Sequence, residues 1–138
     1  MKKTGTLNVQ LSRVIASLGH TDRLVICDSG LPIPHGSEVV DLALAPNIPR
    51  FLDAVGVVLE EMQIEGAIIA REMEAKNPSI YRSLMSILRK VKVTKVPHRG
   101  FKKLTCSNGN VTFVRTGEAT PFANVILISG VTFGASKQ

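Results

Sequence analysis

A histidine and an aspartate stand at the two ends of one short apolar run, in the stretch LGHTDRLVICDSGLPIP. His20 follows a glycine that suits a helix end, and an imidazole changes charge near neutral pH, so it is a candidate acid or base. Asp28 ends the apolar run, and in α/β sheets functional groups gather at the carboxyl ends of strands. Both also fit ordinary turn positions, because DSG is common turn chemistry. Proton transfer is therefore one hypothesis for this stretch, and a plain turn is the other.

The remaining candidate residues carry weaker signals. His35 lies in a loop rich in proline and glycine, and His98 follows Pro97 at the end of a predicted strand, so both fit surface loops. The spacing of the histidines and cysteines matches no zinc motif, and we predict no metal site. The chain carries no GxSxG, P-loop or GxGxxG sequence, and we predict no cofactor. The polar segment RTGEATPFAN, residues 115–124, lies between two predicted strands and could line a site.

The elements that must position these residues follow from the apolar pattern. Apolar residues at helical spacing predict three helices, and short continuous apolar runs predict strands buried on both faces. The helices are expected within 11–18, 49–62 and 78–91, and the strands within 24–27, 39–44, 65–70, 93–98, 111–117 and 124–133. The class is therefore α/β. We predict a single three-layer α/β/α domain over residues 1–138 with a mainly internal mixed sheet.

Four residues mark the expected helix boundaries. Gly19 suits the position just after the end of the first helix. Pro49 is expected at the first position of the second helix, and Asn77 followed by Pro78 is expected to begin the third.

Charge and composition exclude several classes of protein. The net charge is +6, and the segment Arg71–Lys103 carries ten Lys and Arg against two Glu. A solvated helix face is the favoured interpretation of this segment over a nucleic-acid surface, because aromatic residues are sparse and no nucleic-acid-binding motif is present. No apolar run approaches the roughly 20 residues of a membrane span. Two cysteines are too few for a disulfide framework, so we predict a cytoplasmic protein.

In its motifs the chain resembles the D-ribose pyranase family of sugar mutarotases, almost from end to end. The stretch LGHTDRLVICDSGLPIP carries the family patterns GH-x-D and D-[AS]-G-x-P-x-P. RFLDAVGVVLEEMQIEGAIIAREM, NP and HRGFKK match the middle of the family sequence, and RTGEATPFANVILISGVTF matches its C-terminal signature. Related fucose mutarotases usually differ in the D-[AS]-G-x-P-x-P stretch, which favours the ribose branch.

The resemblance implies a cofactor-free interconversion of the β-pyranose and β-furanose forms of ribose. It also implies a ring-shaped homodecamer with sugar sites near subunit contacts. By the same resemblance His20 is the catalytic residue. The residues that would bind the sugar are Asp28, His98, Phe122, Ala123 and Asn124. The family usually has Tyr where this chain has Phe122.

Three alternatives stay open from the sequence. The chain could be a non-enzymatic sugar-binding accessory protein of a ribose uptake system, a mutarotase for another sugar such as fucose, or a nucleic-acid binder. One geometric expectation is independent of this choice. A strand rises roughly 3.3 Å per residue, so a straight strand would hold His20 and Asp28 too far apart for one small sugar. The site would then be shared between chains, unless the 19–23 loop folds back along the strand.

Overall fold

The computed structural model describes residues 1–134 of the chain, in which helices and strands are interspersed. Five helices and six strands lie in this range. In chain order they are α1 (Val9–Ser17), β1 (Arg23–Cys27), β2 (Glu38–Asp41), α2 (Phe51–Glu61), β3 (Ile64–Ala70), α3 (Arg71–Lys76), α4 (Pro78–Ile87), β4 (Val93–Val96), α5 (His98–Thr105), β5 (Val111–Arg115) and β6 (Val125–Ser129).

The six strands form one mixed sheet in the order β2-β5-β1-β6-β3-β4. Strand β6 runs antiparallel to its neighbours β1 and β3, whereas the other pairs are parallel. The central strands β1 and β6 are almost entirely apolar and buried, as expected for strands covered on both faces. The predicted α/β class with a mainly internal mixed sheet is confirmed.

Side chains on the two faces of the sheet build two apolar clusters. Helices α1, α2 and α4 cover one face, and their buried residues pack with alternate residues of the central strands, such as Leu24 and Ile26. Helix α5 covers the other face, where Phe101 packs against Val25 and Phe113. Full burial of a side chain such as Phe101 contributes roughly 1.5–3 kcal/mol. This contact therefore holds α5 against the sheet and fixes the position of its first turn.

The observed helix boundaries agree with the predicted ones at two places and differ at one. Helix α1 ends at Ser17 with Leu18 as its C-cap, so Gly19 follows the cap as predicted. Helix α4 begins at Pro78 after Asn77, as predicted. The prediction for Pro49 is wrong, because α2 begins at Phe51 with Arg50 as its N-cap. The Pro49 carbonyl instead accepts a hydrogen bond from the Gly117 backbone, which ties this loop to the segment after β5.

Two helices were not predicted, and one of them changes the setting of a candidate residue. His98 was expected in a loop at a strand end, but it is the first residue of α5. Its backbone N–H donates to both carboxylate oxygens of Glu72, at 3.0 and 3.2 Å, and Glu72 belongs to the second unpredicted helix, α3. The last strand is also shorter than predicted, because β6 ends at Ser129.

Candidate functional site

A cleft of about 350 Å³ opens beyond the carboxyl ends of β1 and β5. These two strands are parallel neighbours, so the loops that follow them meet at the same edge of the sheet. The cleft is lined by the 28–32 loop after β1, by the 118–122 loop after β5, and by His98 and Lys102 of α5. Three predicted sugar-binding residues, Asp28, His98 and Phe122, lie in this lining.

Asp28 is tied to its surroundings on both sides. Its Oδ1 accepts the Gly30 N–H at 2.9 Å, which closes the turn after β1. Its own backbone N–H donates to Oδ1 of Asn124 at 2.9 Å, and Asn124 is fully buried behind it. The Nδ2 group of Asn124 is buried and has no partner among residues 1–134. Asn124 does not itself line the cleft, but a buried donor without a partner is costly, so Nδ2 would gain a hydrogen bond from a ligand oxygen that reached it.

Two aromatic side chains hold the His98 ring. Phe122 meets the ring edge-on at 5.0 Å between centroids, and Phe101 stacks with it at 6.3 Å. The His98 Nδ1 atom is buried and has no hydrogen-bond partner within the described part of the chain. Phe122 adopts a left-handed backbone conformation with a φ of 67°, which is unusual for a bulky residue and marks a constrained position. The cleft therefore has an aromatic wall and unpaired polar atoms beside it.

A further predicted sugar-binding residue lies outside the lining of the cleft, and two other residues lie within it. Ala123 is completely buried in the core and does not line the cleft. Lys102 and Glu118 also line the cleft; Glu118 belongs to the 115–124 segment that was expected to line a site, whereas Lys102 was not predicted. Lys102 follows His98 by one helical turn, a spacing that would have indicated it had α5 been predicted. Glu118 is buried, and its Oε1 accepts the Phe51 N–H at 3.0 Å, so it caps the start of α2.

His20 lies at the opposite end of β1, beside a separate cavity of about 360 Å³. Its Nε2 atom lies 2.8 Å from Oε2 of Glu65. The turn that carries His20 is held by Asp22, whose Oδ2 accepts the Gly19 N–H at 2.8 Å. The Thr21 N–H donates to the Ser129 carbonyl, which anchors the turn at the amino end of β1. The 19–23 segment therefore does not fold back along the strand.

The two cavities share no lining residue, and β1 runs between them. Four residue steps separate Arg23 from Cys27, which is about 13 Å of strand. His20 and Asp28 lie beyond its two ends, so one small sugar cannot touch both within a single chain.

The remaining chemistry-bearing groups have other roles. Cys27 is buried in the core as predicted, and burial together with the neighbouring Asp28 carboxylate raises the pKa of its thiol to about 12. Among residues 1–134, no three His, Cys, Asp or Glu side chains cluster closely enough to hold a metal ion. No helix in the same range is long and apolar enough to cross a bilayer.

Comparison with known proteins places this fold and these motifs in one family. Residues 1–132 match the model of the RbsD / FucU transport protein family. The D-ribose pyranases of Laribacter hongkongensis and Coprothermobacter proteolyticus are 54% and 53% identical over 96% of this chain and all of theirs. A solved structure of Bacillus subtilis RbsD complexed with D-ribose is 43% identical and covers 96% of this chain and all of its own, with a TM-score of 0.90. A Streptococcus pneumoniae fucose mutarotase at 18% identity, with a TM-score of 0.80, shares the fold. The resemblance stated from the motifs is confirmed, and the chain belongs to the RbsD/FucU family.

Proposed function

We propose that this protein is a D-ribose pyranase, an isomerase that interconverts the β-pyranose and β-furanose forms of ribose. The structural observation that carries the proposal is the Asp28 cleft, where Nδ1 of the lining residue His98 and Nδ2 of Asn124, behind Asp28, are buried and have no partner among residues 1–134. Such atoms gain hydrogen bonds when a polyhydroxylated ligand enters. Curated relatives about half identical over the whole chain are D-ribose pyranases, and a solved relative binds D-ribose, which selects the sugar.

The reaction needs only proton transfers. A base takes the proton of the anomeric hydroxyl while an acid protonates the ring oxygen, the bond between the anomeric carbon and the ring oxygen breaks, and the anomeric carbon becomes the aldehyde. The open-chain sugar then closes again. A different hydroxyl attacks the aldehyde carbon and loses its proton to a base, and the carbonyl oxygen gains a proton. Each such transfer is worth about 10²- to 10⁴-fold in rate.

The exposure and position of each residue assign its role in these proton transfers. His20 is the principal acid or base, because its imidazole is half exposed beside an open cavity. Asp28 and His98 orient hydroxyls or act as the complementary proton partner, and the Asn124 Nδ2 donates to a sugar oxygen. Phe122 presents an apolar ring face to the C–H groups of the sugar.

We further propose that one sugar site is shared between two copies of the chain in a homodecameric ring. His20 from one copy would complete the Asp28 cleft of the next, because β1 separates the two groups within a single chain. Exposed apolar side chains support an assembly that covers them. Phe133 is 72% exposed beside the His20 cavity, and Leu7, Val9 and Leu44 are 71–82% exposed elsewhere. The cytoplasmic location expected from the sequence stays a prediction.

Saturation-transfer NMR tests the proposed function. The β-pyranose signal of ribose is saturated, and the loss of intensity at the furanose signals reports exchange between ring forms. We expect the wild-type protein and a His35→Ala control to accelerate exchange, and His20→Ala to accelerate it far less. Ribose binding without faster exchange would indicate an accessory sugar-binding protein. Faster exchange of fucose than of ribose would assign the enzyme to the other branch of the family.

A further inference from the structure

We propose that Glu65 is the positioning residue for His20, and that His20 exchanges protons with the sugar through its Nδ1 atom. This inference rests on the proposed function, in which His20 is the acid or base. Nothing in the sequence singled out Glu65, which lies 45 residues away from His20 in the chain.

The contact itself assigns the two ring nitrogens. Glu65 Oε2 lies 2.8 Å from His20 Nε2, and an ionised carboxylate can only accept a hydrogen bond. The proton of the neutral imidazole therefore sits on Nε2, and the lone pair sits on Nδ1. Within residues 1–134 no other group hydrogen-bonds to the ring, so Nδ1 is free to take the proton of a sugar hydroxyl and return it to a sugar oxygen.

A β-bulge directs Glu65 toward the histidine. In the pairing of β3 with β6, Ile64 faces Ser129 and Gly66 faces Ile128, so Glu65 is an extra residue on its strand. Bulges of this kind re-aim a side chain and recur beside active sites. The bulge is packed against Gly130, where an added Cβ would lie 3.2 Å from the Glu65 nitrogen. The glycine therefore permits the close approach that fixes the Glu65 backbone.

The turn on the other side of the contact is equally fixed. Thr21, directly after His20, has a left-handed φ of 70°, and its N–H bonds to the Ser129 carbonyl. Ser129 thus contacts the histidine turn and pairs with the residue before Glu65. Backbone contacts therefore set the relative positions of His20 and Glu65. The contact between the two side chains is not what holds the backbone in place.

The energetics favour an orienting role over a stabilising one. His20 and Glu65 are 52% and 46% exposed, and ion pairs as exposed as this add little to the stability of a fold. A contact that fixes the tautomer and the ring direction acts on turnover instead. Carboxylates that orient a metal-bound histidine are typically worth about 10- to 100-fold, and we take the same range for this metal-free pair.

The first test compares Glu65→Ala with the matched control Glu60→Ala, an exposed glutamate without a hydrogen-bond partner among the described residues. In the saturation-transfer assay we expect Glu65→Ala to lower kcat by about 10- to 100-fold, with KM within about 2-fold of the wild type. We expect Glu65→Gln, which keeps an acceptor oxygen, to recover much of kcat, and the thermal midpoint to change little in all variants. An unchanged kcat in Glu65→Ala beside an active wild type would overturn the role of Glu65 and leave the proposed function standing.

The second test addresses the ring atom directly. Replacing His20 with Nδ1-methylhistidine blocks Nδ1 and leaves Nε2 as the only basic nitrogen of the ring, which can donate to Glu65 only when the ring is protonated. We expect this protein to bind ribose and to lose exchange as fully as His20→Ala does. Exchange at the wild-type rate in the methylated protein would overturn the assignment to Nδ1. A wild type that fails to exchange ribose would overturn the proposed function, and the role of Glu65 with it.

Discussion

Replacing Asn124 with alanine removes two tasks of one buried amide, which melting and ribose titration measure separately. The Oδ1 atom accepts the backbone N–H of Asp28 at 2.9 Å, and the Nδ2 atom has no partner within residues 1–134. The first atom therefore supports the fold, and the second is the one assigned to the sugar. Asn124→Ala removes both, so it should lower stability and ribose affinity together.

The size of each effect follows from these contacts. Leaving the buried Asp28 N–H without an acceptor costs about 1–3 kcal/mol. For a chain of this length, 1 kcal/mol shifts the melting temperature by roughly 3–5 °C, so we expect a fall of about 3–15 °C. Losing one hydrogen bond to the sugar costs about 0.5–1.5 kcal/mol net, which weakens ribose binding by roughly 2- to 12-fold.

Asn8→Ala is the matched control for this experiment. Asn8 also accepts one backbone N–H, that of Leu11 at 2.8 Å, but it caps α1 and does not line the Asp28 cleft. Its loss should cost about 1 kcal/mol and leave the ribose Kd unchanged. Calorimetric melting and ribose titration are run on both variants. A lower melting temperature with an unchanged Kd in Asn124→Ala would refute the assignment of Nδ2 to the sugar, and an unchanged melting temperature would refute the structural role of Oδ1.

Three further experiments have defined outcomes. His20→Ala should remove most ribose exchange at a stability cost near ~0.5 kcal/mol, whereas His35→Ala should leave exchange and melting unchanged by NMR and calorimetry. Phe122→Tyr supplies a hydroxyl donor and should tighten ribose binding or raise the ribose exchange rate by roughly 2- to 10-fold. If neither the affinity nor the exchange rate changes, the aromatic residue at position 122 does not determine which sugar is bound. At pH 8 the Cys27 thiol, with its pKa raised to about 12, stays protonated, so iodoacetamide should label only the exposed Cys106 in the native protein, as read by mass spectrometry.

The strands and the long helices could be predicted because their apolar residues follow the period of each element. Strand β1 is a continuous buried run, and Leu84 of α4 and its C-cap residue Leu88 are buried as predicted. Helix α5 escaped prediction because its sequence, HRGFKKLT, is short, contains a glycine and holds few apolar residues. Tertiary contacts stabilise this helix instead. Phe101 is buried against the sheet, and the Glu72 carboxylate accepts the backbone N–H of His98 in the first turn.

The candidate site was predictable only in part for a related reason. The distance between His20 and Asp28 followed from the rise of one strand, and the structure places them at opposite ends of it. Glu65 and Glu118 reach their positions through a β-bulge and a loop. Such contacts join residues distant in sequence and leave no local periodic signal.

The shared site is tested most directly by mixing two inactive proteins. One carries His20→Ala and keeps an intact Asp28 cleft, and the other carries Asp28→Ala and keeps an intact His20. After subunit exchange, verified by mass spectrometry of the intact assembly, saturation-transfer NMR measures ribose exchange in the mixture. We expect activity to return, because some sites then combine an intact His20 with an intact Asp28 from different copies. No recovery in verified mixed assemblies would contradict a site built across two chains.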